Sequence, residues 1–299
     1  MKLSILLLIA CFPLVMLHST SAQSTITPTA TDAPASQPNK FGIKKHGAIV
    51  YRTGDTYLVK CDIYQPIPDV KTDQPMPAVV MIHGGAWRTG SKISMFRHAR
   101  RLARVGYVVM VINYRLAPKY PWPAQIEDCR AALDWLHRHA EQYNIDTDRV
   151  GVYGYSAGAH LASMLATTNE QNDTVKIRAA AVGGTPAEFS WIDADANTLA
   201  YWLGSSRAEG VEVYRNASPI TFVTPDDPPF FAFHGKNDMV VPLETVQRFH
   251  AALDAQNVNS TLVEIPNCGH IATFSRLNLM ADVIKFFDEH LSPPVTLEK

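Results

Sequence analysis

Apolar positions along the chain fall into two alternating spacings. Near-continuous apolar runs stand at 78–82 (AVVMI), 107–112 (YVVMVI), 149–153 (RVGVY), 179–182 (AAAV), 230–233 (FFAF) and 261–265 (TLVEI). Runs of this length predict strands covered on both faces. Between them, apolar residues recur at helical spacing over 92–105, 124–143, from 157 onward, 243–255 and 275–291, each predicting an amphipathic helix. Pro123 stands immediately before the second of these, a favourable place for a helix start. Two further strand-like stretches, 47–52 and 57–64, follow one another with no helix between them, which predicts an antiparallel entry. The alternation as a whole predicts an α/β fold, a mostly parallel eight-stranded sheet with helices on both faces.

The pattern fails in two places. Between 185 and 229 there is no sustained period, only aromatic residues (Phe189, Trp191, Tyr201, Trp202) and several prolines. A structureless loop of this length is uncommon in a compact domain, so a partly helical, cap-like insertion over the site is expected. The other failure is the first forty residues. MKLSILLLIACFPLVMLHSTSA has a lysine, an apolar core and small residues ending at Ala22, which predicts a signal peptide (1–22) and a secreted or periplasmic protein. Cys11 within LIAC offers a less favoured lipoprotein alternative. Residues 23–40, QSTITPTATDAPASQPNK, cannot bury enough apolar surface to offset ordering and predict a disordered linker. The folded domain is expected at 41–292, with a tail at 293–299.

Composition narrows the function. The 299 residues are 46% hydrophobic and 18% charged, with formal net charge −1. No strong basic block supports nucleic-acid binding. After leader removal no apolar run is long enough for a stable membrane span. Cys61, Cys129 and Cys268 then remain. An exported protein can form one disulfide, and the sequence does not choose the pair. Asn172, Asn216 and Asn259 begin N-x-S/T sequons. HEXXH and CxxC patterns are absent, so neither metal nor cofactor is expected.

Candidate chemistry centres on GVYGYSAGAHLASML (151–165), where a strand pattern turns into a helical one. Ser156 at that junction could be an ordinary N-cap. Gly154 and Gly158 complete G-x-S-x-G, the nucleophile-elbow pattern. A serine hydroxyl needs a base, and the base needs an orienting acid, in chain order Ser, Asp or Glu, His, each after a strand's C-terminal end. Asp238 follows the run 230–233 in HGKNDMVVP, whereas Asp226 and Asp227 precede that strand and Glu264 lies within another. His270 is the sole histidine between the last strand and the last helix; His234 comes before the acid, and His250 and His290 fall inside helices. The oxyanion of an acyl transfer needs preorganised amide donors. Ala157, the residue after the serine, and the glycine loop HGGAWRTGS (83–91) are the candidates.

HGGAW, YRLAP, PAQIEDCRAALDWL, GYSAGAHLA, ASPI, DDPPF, HGKNDMVVP and GH together resemble α/β-hydrolase carboxylesterases. The nearest groups are feruloyl and acetylxylan-type esterases and hormone-sensitive-lipase-like enzymes. The resemblance implies Ser156 as nucleophile, His270 as base and Asp238 as its orienter. It also implies Gly85, Ala86 and Ala157 as amide donors. HGGAW stands where hormone-sensitive-lipase-like members carry HGGG, which makes Trp87 a candidate pocket wall. Tyr155 is a second candidate for substrate contact, and either could equally be core. The expected reaction is hydrolysis of short-chain acyl esters, acetyl and feruloyl among them, on a small molecule or a polysaccharide. Kynurenine formamidases share HGG-x-W and SAGAHLA, so amide cleavage is the alternative. A non-catalytic binding protein on the same fold is the remaining one.

Overall fold

A computed structural model describes residues 41–68, 74–168 and 174–292. The predicted leader and linker, Asn172 and the tail lie outside the described residues. Eight strands form one sheet, and in chain order the elements are as follows. Strands β1 (Gly42–Gly54), β2 (Tyr57–Ile67) and β3 (Met76–Ile82) come first. A single 3₁₀ turn, Lys92–Met95, then leads into α1 (Phe96–Ala103) and β4 (Val108–Ile112). Next are α2 (Ala124–Arg138), α3 (Ala140–Tyr143), β5 (Ile145–Tyr155), α4 (Ala157–Thr167) and β6 (Ile177–Gly183). The irregular stretch carries α5 (Ala200–Leu203), α6 (Val211–Asn216) and a 3₁₀ turn, Pro219–Phe222. The chain closes with β7 (Phe230–Gly235), α7 (Leu243–Ala255), β8 (Ser260–Ile265), α8 (His270–Ser275) and α9 (Leu279–Leu291).

The strand order is β1-β2-β4-β3-β5-β6-β7-β8. The pairs β1–β2 and β2–β4 are antiparallel, and every later pair is parallel. Side-chain alternation divides each central strand between two cores. Ala78, Val80 and Ile82 of β3 point into one, with Leu161 of α4, Leu133 of α2 and Phe249 of α7. Val79 and Met81 point into the other, with Leu102 of α1 and Val283 and Phe287 of α9. Every residue of β4 is buried, so the continuous apolar runs are explained by two covered faces.

Several expected boundaries move. The run 92–105 opens as a 3₁₀ turn whose cap Ser91 accepts from the Ile93 amide. The helix over 124–143 breaks at His139, which has non-helical φ −114°. The last helix begins at Leu279 rather than 275, because Arg276 leaves helical geometry at ψ 80°. All three described cysteines are free and buried. Burial pushes the Cys61 thiol up to about 12.

The motifs after β4 are structural. Asp128, fully buried in α2, accepts from Arg52 of β1 at 2.7 Å and from the Arg115 side chain at 2.9 Å. The Arg115 amide also donates to it, at 2.7 Å. YRLAP and PAQIEDC thus clasp the long connection that leads from the sheet to α2. Among the described residues no helix is long and apolar enough to cross a membrane.

Candidate active site

Parallel neighbours deliver their C-terminal ends to one rim, and β5, β6, β7 and β8 are consecutive in the sheet. Ser156 follows β5 directly. It occupies the N-cap position of α4 with φ +56° and ψ −125°, and its hydroxyl makes no cap bond. The N-cap explanation of this serine therefore fails. A positive φ at a non-glycine residue stores about 1–3 kcal/mol of strain. The glycines make that turn fit. A Cβ on Gly158 would stand 2.1 Å from the Ile82 carbonyl oxygen, and one on Gly154 would stand 2.2 Å from that of Gly158. Backbone occupies both spaces, so α4 closes onto β3 and β5 only when neither residue carries a side chain.

Backbone bonds chain the rim together. The Ser156 amide donates to Gly183 at 2.8 Å, and the Gly184 amide to Phe233 at 3.0 Å. Lys236 donates to Ile265 and Asn237 to Cys268, tying the acid's turn to the histidine's. His270 opens the short helix α8 rather than lying in an open loop. Its Nδ1–H donates to Asp238 Oδ2 at 2.6 Å. That bond fixes the tautomer and leaves Nε2 as an acceptor. A Cβ on Gly184 would stand 3.0 Å from His270 Cε1, so the imidazole ring lies against the turn that also anchors Ser156. Ser156 and His270 stand on the same rim, and among the described residues no hydrogen bond joins the serine hydroxyl to Nε2.

Burial would raise the Asp238 carboxyl. The His270 hydrogen bond and the Val241 and Val240 amides outweigh it and hold the group below the usual carboxylate range. Asp238 is therefore ionised wherever the imidazole needs it.

The glycine loop after β3 lies beside the serine: a Cβ on Gly84 would stand 3.1 Å from Ser156 Cβ. Gly85, Ala86 and Trp87 all have positive φ, 121°, 50° and 57°. The turn closes through the Arg88 and Thr89 amides on the Gly85 carbonyl. The amides of Gly85, Ala86 and Ala157 donate to no acceptor among the described residues.

Residues 61–253 match the BD-FAE family. The chain belongs to that family. Among curated proteins, this BD-FAE member is 30% identical over 259 residues to esterase LipC of Mycobacterium tuberculosis. The match takes in 80% of this chain and 64% of LipC, so the chain spans less than two thirds of that relative's length. Among solved structures it resembles a bifunctional GH43-CE protein of Bacteroides eggerthii (TM-score 0.72, 27% identity, 82% of this chain and 38% of that one). A truncated carbohydrate esterase from gut microbiota shares the fold (TM-score 0.72, 24% identity, 86% and 98% covered).

Two expected substrate contacts in this BD-FAE member prove to be interior. Trp87 is 3% exposed. It stacks on Trp202 at 3.6 Å between centroids, and its Nε1–H donates to His160 Nδ1 at 3.2 Å. Its left-handed backbone is held by that packing. Tyr155 is 4% exposed and donates to the His270 carbonyl at 2.5 Å. Trp87 thus braces the glycine loop, and Tyr155 braces the histidine. The 185–229 stretch meets the same loop: Tyr201 donates to the Ala86 carbonyl at 2.7 Å, and Trp202 donates to Gln125 at 3.0 Å.

His234 was set aside in the sequence because it precedes the acid. It is fully buried, donates from Nε2 to Val241 at 3.0 Å, and lies 3.4 Å from Asp238 Oδ2. The carboxylate therefore has two imidazole neighbours. The signal was the four-residue separation in HGKND. Among the described residues no group of three His, Cys, Asp or Glu is placed to hold a metal ion.

Proposed function

We propose that this protein is an exported serine ester hydrolase acting on short-chain acyl esters, with Ser156 as nucleophile, His270 as base and Asp238 as orienter. The observation that supports the reading is the Nδ1–Asp238 bond, which leaves Nε2 as the imidazole's acceptor on the rim where Ser156 stands in a strained turn. His270 removes the hydroxyl proton as the serine oxygen attacks the ester carbonyl. The tetrahedral oxyanion is met by the amides of Gly85, Ala86 and Ala157. His270 then hands its proton to the departing alcohol, and water repeats both steps on the acyl-enzyme. Likeness to LipC, named an esterase, supports ester hydrolysis. The carbohydrate-esterase designation of the gut protein gives a polysaccharide-linked acyl ester as a case to assay. Export rests on the leader pattern and is checked by sequencing the mature N-terminus for a start at Gln23.

The test is a series of p-nitrophenyl esters from acetate to palmitate, with methyl ferulate, acetylated xylan and N-formylkynurenine alongside, and Ser156→Ala as control. Highest kcat/KM at acetate or propionate, lost in the control, is expected. A maximum at palmitate, or faster cleavage of N-formylkynurenine than of any ester, contradicts the reading.

A further inference from the structure

The solvent side of α1 carries a charge feature that the active site does not use. Arg97, Arg100, Arg101 and Arg104 are all exposed and line a groove of about 520 Å³ between α1 and the α8–α9 region, with Phe96 and Leu277 among its walls. No acidic residue lines it. None of the four guanidinium groups has an ion pair or side-chain hydrogen bond among the described residues. Of the acids on α9, Asp288 accepts from Tyr107 at 2.6 Å, Glu289 pairs with Lys285 at 3.9 Å, and Asp282 lines a different cavity, beside Phe231 and Thr261. Four unneutralised cations within about two helical turns of one another, on a chain of net charge −1, are a concentrated positive face.

We infer that this groove docks the protein on an anionic phospholipid bilayer. Beside the arginines, Phe96 is 48% exposed, and Ile93, one turn earlier, is 70% exposed. A soluble polyanion gives such apolar groups nothing, whereas a bilayer interface accepts both the aromatic ring and the cations.

Docking is read by co-sedimentation of the full chain, as its host processes it, with two vesicle types. These are pure phosphatidylcholine and phosphatidylcholine with about a third of the anionic lipid phosphatidylglycerol. Binding to the anionic vesicles alone, weakened by salt, is expected. Arg100→Gln/Arg101→Gln should weaken it about tenfold or more. Phe96→Ser should weaken it at low and high salt alike. Hydrolysis of a water-soluble ester should stay unchanged in both variants, and their thermal unfolding should match the parent. Equal binding to both vesicle types, no binding to either, or anionic binding insensitive to the arginine changes overturns the inference. Retention on a soluble anionic polysaccharide with none on vesicles overturns it in favour of a polysaccharide ligand. Activity is not the readout, so failure here leaves the hydrolase reading standing and the converse also holds.

Discussion

Ser156 holds a backbone geometry that glycine adopts more readily, with φ +56°. The strain is the cost of presenting its hydroxyl above the sheet. Ser156→Gly and Ser156→Ala should both be inactive. In denaturant unfolding the glycine variant should be the more stable by about 1 kcal/mol, since only it relaxes the turn; an alanine variant of equal or greater stability contradicts strain at this position. Asp238→Asn should lower kcat by about 10⁴-fold by losing the imidazole tautomer that the 2.6 Å bond selects, with little change in KM. At this scale the strand-end positions of Ser156, Asp238 and His270, after β5, β7 and β8, were legible in the sequence, because the apolar runs that precede them are continuous. The sequence was uninformative for Trp87, Tyr155 and His234. Whether an aromatic side chain faces a cleft or a core depends on contacts with Trp202 or with the His270 carbonyl, and these residues lie over 100 positions away from Trp87 and Tyr155 along the chain.

At the scale of elements, the nucleophile turn depends on α4 approaching β3 across Gly158. Gly158→Ala should destabilise the fold by several kcal/mol or abolish soluble expression, because the Ile82 carbonyl leaves no room for a methyl group. The aromatic cluster is the other structural brace: Trp87, Trp202, Phe189 and His160 pack together beneath the glycine loop. Trp202→Ala should cost about 3–5 kcal/mol in urea unfolding, and it should also lower kcat by loosening the Ala86–Trp87 turn. A variant with the parent's stability contradicts the brace. Helices and strands were legible wherever one period ran unbroken, as in α7, whose ends match the pattern. The missed ends at His139 (φ −114°) and Arg276 (ψ 80°) leave helical geometry at residues that are neither glycine nor proline, so nothing in the sequence announces the break. The short helices α5 and α6 could not be placed beforehand, because four to six residues show no measurable period.

For the molecule as a whole, buried histidines link stability to pH. Burial brings His83, His98 and His160 each down to about 4 from the ordinary 6.5. The unfolded chain binds protons at these positions first, so stability is complete above about pH 6.5 and is lost progressively toward pH 4. Asp238 and Asp62, both held low, withdraw further stability below about pH 4. Thermal unfolding across this range should show a falling Tm, with a shallower slope in His160→Phe; a Tm flat from pH 7 to 4.5 contradicts it. The sheet class and the parallel majority were legible from continuous apolar runs. The strand order was not, since placing β4 between β2 and β3 is decided by crossover packing rather than by any local pattern. That order is what gathers three distant residues at one rim. Reaction with a fluorophosphonate, followed by peptide mass analysis, tests the central assignment most directly. A single adduct on Ser156, absent in Ser156→Ala and formed at least about 100-fold more slowly in His270→Ala, is predicted. An unlabelled parent protein, or an adduct on another residue that persists in Ser156→Ala, would contradict it.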